Sequence, residues 1–382
     1  MILALIQRLS INDNFRRSNE ANNHSFPETS EHRTQFTKRS TRVGERLSRD
    51  FLKSGGYSVD FVRPSAIEIG KRSLSLPLYF PSISSVKTAL RPMDYLKILG
   101  SFVGLNSQFL ISAYDLAAVD NPEETKQFIK AIQGAGSVIL MDSGNYESFW
   151  KNDQSNWKQP VFQKMLHTFP YDLAFCFDEQ SPPSSVYEHI ELVIARYNKD
   201  QSEAGDRMII PIIHGSVDKL PMLCTAVAEV TNVSMLAVPE RKLGDGVIER
   251  ARSLARIRFE LNKLGRYVIL HLLGTGNPIS IAIYSAMGAD SFDGLEWCQT
   301  VVDHDTTLLY HLSQSDFFAA QTQWGDISLS FHARTLAHNL EFYIGWMQRL
   351  NKAREDNNIV DFCRFNFPER IFTQCVTAFA WE

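Results

Sequence analysis

The chain has no CxxC pair. Its five cysteines, at 176, 224, 298, 363 and 375, are too scattered for a disulfide scaffold or a zinc knuckle, and a reducing compartment suits them best. It has no excess charge of one sign. Lys+Arg 39 against Asp+Glu 43 leaves a formal −4, so any nucleic-acid partner is met by a local patch rather than a global basic field. It has no run of about 18 apolar residues, and the apolar start MILALI soon meets Arg8. We therefore expect no helical membrane span and no signal peptide, and a cytoplasmic location. No glycine-rich phosphate loop follows the first apolar run, and GTG at 274–276 is too little for a dinucleotide signature. What remains is a packed globule, 44% hydrophobic and 21% charged. At about 100–200 residues per domain, the chain makes two domains, or one large barrel with appendages.

The beginning differs from the rest. Residues 1–55 carry ten Lys/Arg and six Asp/Glu, whereas the remainder carries 29 and 37. The stretch from Asn12 to Ser40 is rich in Asn, Ser, Thr and charge, and has too few large apolar residues to offset its ordering entropy. We expect a basic, disordered arm over residues 1–60, either touching phosphates or simply solvated.

From residue 74 onward, apolar β-type runs alternate with helical stretches. The runs are LPLYF (76–80), FLISAYD (109–115), SVILMDSG (137–144), DLAFCFD (172–178), MIIPIIHG (208–215), VSMLAVPE (233–240), YVILHLLG (267–274) and SFDGLEW (291–297). Most are continuous apolar runs, as in strands covered on both faces. Between them lie helix-compatible segments such as 122–133 and 246–265. Strand–helix alternation implies a parallel sheet with right-handed crossovers. Eight such units match a closed (β/α)8 barrel, against an open doubly wound sheet as competitor. The expected division is a barrel domain over 70–350 and a short helical extension over 351–382.

In such barrels the chemistry sits at the C-terminal ends of the strands. Those ends carry Asp115, Asp142, Asp178, His214-Gly215, Pro239-Glu240, Gly274 and Asp293. A single Asp there can be the cap of the next helix. Several at one mouth are costly to bury unless each has a partner or a task. There is no Ser/His/Asp pattern and no His cluster at metal-ligand spacing. Carboxylates alone suit glycosidic chemistry, one as nucleophile on an anomeric carbon and another handling protons.

From about 75 to 350 the chain resembles the tRNA-guanine transglycosylase superfamily. DSGNYES (142–148) looks like its DSGG[FY]Q motif, and LAFCFDE (173–179) resembles its base-binding strand. IIHGS (212–216) stands where the family has a Gln-Gly pair, and MLAVPE (235–240) resembles GLAVGE. LLGTGNP (272–278) is similar to LMGVGKP, and GADSFDGL (288–295) to G[IV]DxFDCV. AHNLEFYIGWM (337–347) resembles the helix whose His is a zinc ligand. The resemblance implies Asp293 as the nucleophile on C1′ of a guanosine and Asp142 as the general base. It implies a base pocket in which Asp178 meets the guanine-like edge and Tyr146 stacks. Ser143, His214, Gly215, the backbone of Leu236 and Ala237, Glu240 and Gly274 would line it. An edge of adjacent N–H donors needs an acceptor-only carboxylate, which suits Asp178.

The departures are His214 for Gln, Met235 and Pro239 for glycines, Glu147 for Gln, and GLEWCQT after the nucleophile where the family has CVLPTR. The family's CxCxxC is absent and His338 alone survives of its zinc ligands, so no metal or other cofactor is expected. Cys298, His304, His311 and Cys363 have no spacing that would replace them. The family acts on tRNA, and paralogous enzymes insert 7-deazaguanines into DNA. The lost knuckle and altered segment lean the reading to the DNA branch, with a base of the preQ0 or preQ1 kind as co-substrate. Alternatives are a tRNA enzyme, a non-catalytic barrel subunit and a nucleoside hydrolase. No membrane partner is expected, and a homodimer is compatible with the resemblance.

Overall fold

The computed structural model describes residues 63–102, 108–325 and 329–381. The basic arm expected over 1–60 lies outside them. Eight parallel strands form one sheet: β3 (Leu78–Ile83), β4 (Gln108–Ser112), β5 (Val138–Asp142), β6 (Leu173–Phe175), β7 (Met208–Ile210), β8 (Met235–Pro239), β9 (Ile269–Leu273) and β10 (Ser291–Gly294). They run in the order β7-β6-β5-β4-β3-β10-β9-β8. The seam between β7 and β8 is closed just past β7. There Ile213 N donates to Ala237 O at 2.8 Å, and Ala237 N donates to Pro211 O at 2.9 Å. The expected (β/α)8 barrel is therefore the observed architecture.

Helices follow the strands and carry the signals their sequences promise. Pro92 and Pro122 open α1 (Pro92–Ser101) and α3 (Pro122–Gly134), where a missing N–H costs nothing. Asn121 caps α3 and Ser185 caps α6 (Val186–Ala204). Between them in the chain lie α2 (Ala113–Ala117), α4 (Asn145–Trp150) and α5 (Gln159–Thr168). A 25-residue helix, Phe331–Glu355, packs beside the barrel and runs past residue 350, and two shorter helices, Ile359–Asn366 and Glu369–Phe379, follow it.

Side chains alternate between two cores. Tyr79, Ile111, Ile139, Leu236 and Phe292 face the helices. Leu78, Phe80, Leu110, Leu140, Phe175, Ile212, Ala237 and Ile269 fill the barrel. The hairpin of β1 (Ala66–Ile69) and β2 (Arg72–Ser75) adds Ile67, Ile69 and Leu74 to that inner core. At the N-terminal end of β10, the fully buried Asp290 accepts from Arg63 Nε at 2.9 Å, Arg258 at 2.8 Å and Tyr267 Oη at 2.8 Å, with Arg354 at 3.5 Å. Burial alone would raise its pKa, but the three guanidinium groups hold it below the usual carboxylate value. Asp290 is thus a structural anchor, remote in role from the carboxylates of the opposite face.

The second strand stops three residues earlier than the apolar run predicts. The chain turns into α2 at Ala113, so Asp115 is a helical residue rather than a strand end. Its carboxylate accepts from both the backbone N (2.7 Å) and Oγ of Ser85, which stitches the loop after β3 to α2.

Candidate active site

One step of two residues along the strands turns the inner core from apolar to polar. Phe80 gives way to Ser82, Leu110 to Ser112, Leu140 to Asp142, Ile212 to His214 and Ile269 to His271, while on β10 Ser291 is already polar and leads to Asp293. Period-two alternation aims every member of this layer inward, at the C-terminal mouth.

Asp293 is held from several sides. Its Oδ2 accepts from Ser82 Oγ at 2.9 Å, and its Oδ1 accepts from Gly274 N at 3.0 Å. His271, fully buried, places Nε2 3.1 Å from Oδ1 and Nδ1 2.8 Å from Ser291 Oγ. Gly274 has φ +76, a conformation that glycine adopts freely, and this turns its N–H onto the carboxylate. The Ser291–His271–Asp293 chain was not legible at strand ends, because His271 lies inside an apolar strand.

Asp142 ends β5 and keeps part of its surface open. Its Oδ2 accepts only the Gly144 amide, at 2.9 Å. Dense packing around it, then the carboxylates of Glu147, Asp178 and Asp293, push its pKa well above the ordinary carboxylate value. Asp178 is the opposite case. Burial would raise its pKa, but donors outweigh that and hold it low. His214 Nε2 lies 2.6 Å away, Asn145 Nδ2 2.6 Å and Ser143 Oγ 3.0 Å. Gln180 Nε2, at 2.5 Å, is a fourth donor, and a carboxylate has about four acceptor positions. Gln180 is itself held by Arg241, 2.9 Å from its Oε1. The Gln180 amide thus occupies the last of these acceptor positions.

The remaining expected residues divide. Tyr146, half-buried on α4, stands at the mouth close enough to Arg241 to feel its charge. Gly215 adjoins His214, where a Cβ would meet Leu223 Cδ1 at 2.9 Å. Glu240 sits behind β8, accepting from Tyr284 Oη at 2.8 Å and pairing with Arg250 at 3.0 Å. Leu236 points outward into the helix layer. Ala237 faces inward, but both its backbone groups are spent across the seam. These last two are not brought to the open mouth.

Two acids that the sequence reading noted only as departures, without a role, lie close by. Glu147 is buried beneath the mouth, taking Ser84 Oγ at 2.5 Å and Ser112 Oγ at 2.7 Å. Burial, then Asp115, push its pKa up to about 7. Glu296, in the segment that departs from the family pattern, is pushed up to about 7 by burial, with Glu240 and Asp293 adding to it. A Cβ on Gly276 or Gly294 would collide with its carboxylate, so both glycines make room for it.

The scattered Cys and His do not fit a zinc site. His338 Nε2 is 2.7 Å from Val302 O, and its ring lies 4.3 Å from that of His304, tilted by 46°. Burial, then the neighbouring His338, lower the His304 pKa to about 4, while Cys298 Sγ donates to Leu295 O at 3.2 Å. Among the described residues no three His, Cys, Asp or Glu side chains converge as metal ligands.

A parallel barrel whose mouth carries one carboxyl with its pKa held low by donors and another with its pKa pushed up by burial is a candidate group-transfer site. No family profile matches the chain. The chain is 23% identical over 252 residues to a tRNA-guanine(15) transglycosylase of Methanopyrus kandleri, an alignment covering 62% of this chain and 51% of that protein. The chain thus spans about half the length of the curated relative it matches, and its similarity to that transglycosylase is distant. No described helix is long and apolar enough to cross a membrane.

Proposed function

We propose that this protein exchanges guanine in a nucleic acid for a 7-deazaguanine base through a covalent intermediate on Asp293. The observation that carries the reading is the contrast between two neighbouring carboxyls, Asp178 with its pKa held down by its donors and Asp142 with its pKa pushed up by burial. Asp293 Oδ attacks C1′, and the C1′–N9 bond breaks with its electron pair going to guanine. The Asp142 carboxyl gives its proton to the departing base. The incoming base then loses its N9 proton to Asp142, attacks C1′ and releases the Asp293 carboxylate. Proton and nucleophile are both restored, so replacement proceeds without hydrolysis. His271, Ser82 and Gly274 fix the orientation of Asp293 through each half. Asp178, after Gln180 withdraws, accepts the N–H donors of the purine edge, and Tyr146 covers its face.

The polymer is DNA in this reading. The pocket chemistry is kept while the segment after Asp293 and the zinc ligands, which in the family serve the polymer, are changed. The naming of the curated relative for tRNA favours the second reading, a tRNA enzyme without zinc. The test is incorporation of labelled guanine or 7-deazaguanine into duplex DNA, single-stranded DNA and tRNA at matched salt. Exchange into DNA that is abolished in Asp293→Asn is the expected result. Exchange into tRNA alone would overturn the polymer, release without incorporation would make it a hydrolase, and no reaction would leave a binding subunit.

A further inference from the structure

Outside the pocket, the rim carries an aromatic surface that the exchange chemistry does not use. Helix α4 leaves the end of β5, so its far end stands at the mouth. There Phe149 is 52% exposed and Trp150 46%. The rings are braced against each other. Phe149 meets Trp150 edge-on at 5.8 Å and 86°, and Tyr146 meets Trp150 at 6.3 Å and 66°. Lys87, from the loop after β3, sets its Nζ 3.8 Å from the Trp150 ring centroid and makes no ion pair among the described residues. Gln299 Nε2 donates to Lys87 O at 3.0 Å, which ties this loop to the segment following Asp293. Lys151 stands next in the chain, 3.8 Å from Asp115 and 5.1 Å from the Tyr114 ring.

Two exposed rings cost free energy in water, and flanking ammonium groups would be costly to cover with an apolar protein surface. Flat heterocycles strung on a polyanion satisfy both features at once. Drawing one base into the pocket leaves its neighbour unstacked, at a cost of a few kcal/mol. A ring at the rim replaces the lost stack. We propose that Phe149 and Trp150 form a stacking site for the base adjoining the extruded one in an unpaired DNA strand, with Lys87 and Lys151 against its phosphates. The proposal rests on the nucleic-acid exchange reading and deepens it.

The test uses the full chain and a short fluorescein-labelled single-stranded DNA containing one guanine, with free guanine binding measured in parallel. Phe149→Ala/Trp150→Ala should bind the DNA at least about tenfold more weakly, the scale of a lost base–aromatic stack. Trp150→Phe should recover most of that loss, and Lys87→Ala should flatten the salt dependence. Free guanine should bind all variants as it binds the wild type. Unchanged DNA affinity in the double variant overturns the stacking site while sparing the pocket reading. Loss of DNA affinity in a protein that never binds guanine supports the stacking site and sinks base exchange. Tighter binding of the RNA of the same sequence overturns the assignment to DNA.

Discussion

Single side chains decide the chemistry through the proton each one holds. Asp178 is surrounded by donors, and Asp178→Asn would turn an N–H2 towards them or towards the base. Guanine affinity should fall about 10- to 100-fold, the scale of 1–3 kcal/mol for a mismatched buried group. Calorimetric titration with guanine reads this directly, and an unchanged Kd removes Asp178 from the pocket. Glu147 has the reverse dependence. Its folded pKa of about 7 lies above the ordinary 4.5, so the folded state binds the proton more tightly than the unfolded chain. That contribution is complete below about 4.5 and is lost as pH rises to about 7. Glu147→Gln keeps the uncharged form at every pH. It should melt like the wild type near pH 4.5 and higher than the wild type at pH 8. Parallel melting curves across that range would refute a strained ionised Glu147. The carboxylates of the site were legible because they end apolar runs. His271 was not, since it sits within one, and Asn145 and Gln180 were not, since only the folded turns bring them onto Asp178.

Among the elements, the turn between β5 and α4 carries the greatest constraint. Gly144 has φ +81, and a Cβ there would stand 2.7 Å from the backbone N of Tyr114 and 3.1 Å from Trp157 Cε2. Backbone strain and collision act together, so Gly144→Ala should cost on the order of 2–4 kcal/mol. It should also displace Ser143 and Asn145 from Asp178. The denaturation midpoint checks the first, and a shift below about 0.5 kcal/mol, the level of an ordinary surface change, would contradict it. Element order and type were readable from alternating apolar runs and helical stretches, because buried parallel strands are apolar throughout. Element ends were not. FLISAYD continues apolar through Asp115, yet the backbone turns helical at Ala113, and DLAFCFD continues past β6, where the Phe177 amide turns to Asp200 Oδ2 at 2.8 Å. Hydropathy records burial, and both segments are buried whether or not they pair.

For the molecule as a whole, the expected absence of zinc is open to a direct test. The His338 and His304 rings lie 4.3 Å apart at a tilt of 46°, burial lowers the pKa of both, and Cys363 is buried in the first of the two short C-terminal helices. Purified protein should therefore contain well under one zinc per chain, and a chelator should leave its melting temperature unchanged. Stoichiometric zinc, or a chelator-induced fall in melting temperature, would show that these residues rearrange to meet a metal.

The seam of the barrel gives the two halves of the mouth different lifetimes. Asp293 rides on β10, which shares four register pairs with β3 and two with β9, while β8 and β9 share five. Asp178 follows β6, joined to β5 by two pairs and to β7 by three, and beyond β7 the circle is closed by one bridge beneath His214. Local opening follows the weakest pairing. Deuterium should enter the amides of Ile213 and Ala237 before those of Phe292 and Leu272. Under the proposed exchange, the weakest closure of the barrel lies beside the base pocket, and the barrel is expected to open there first.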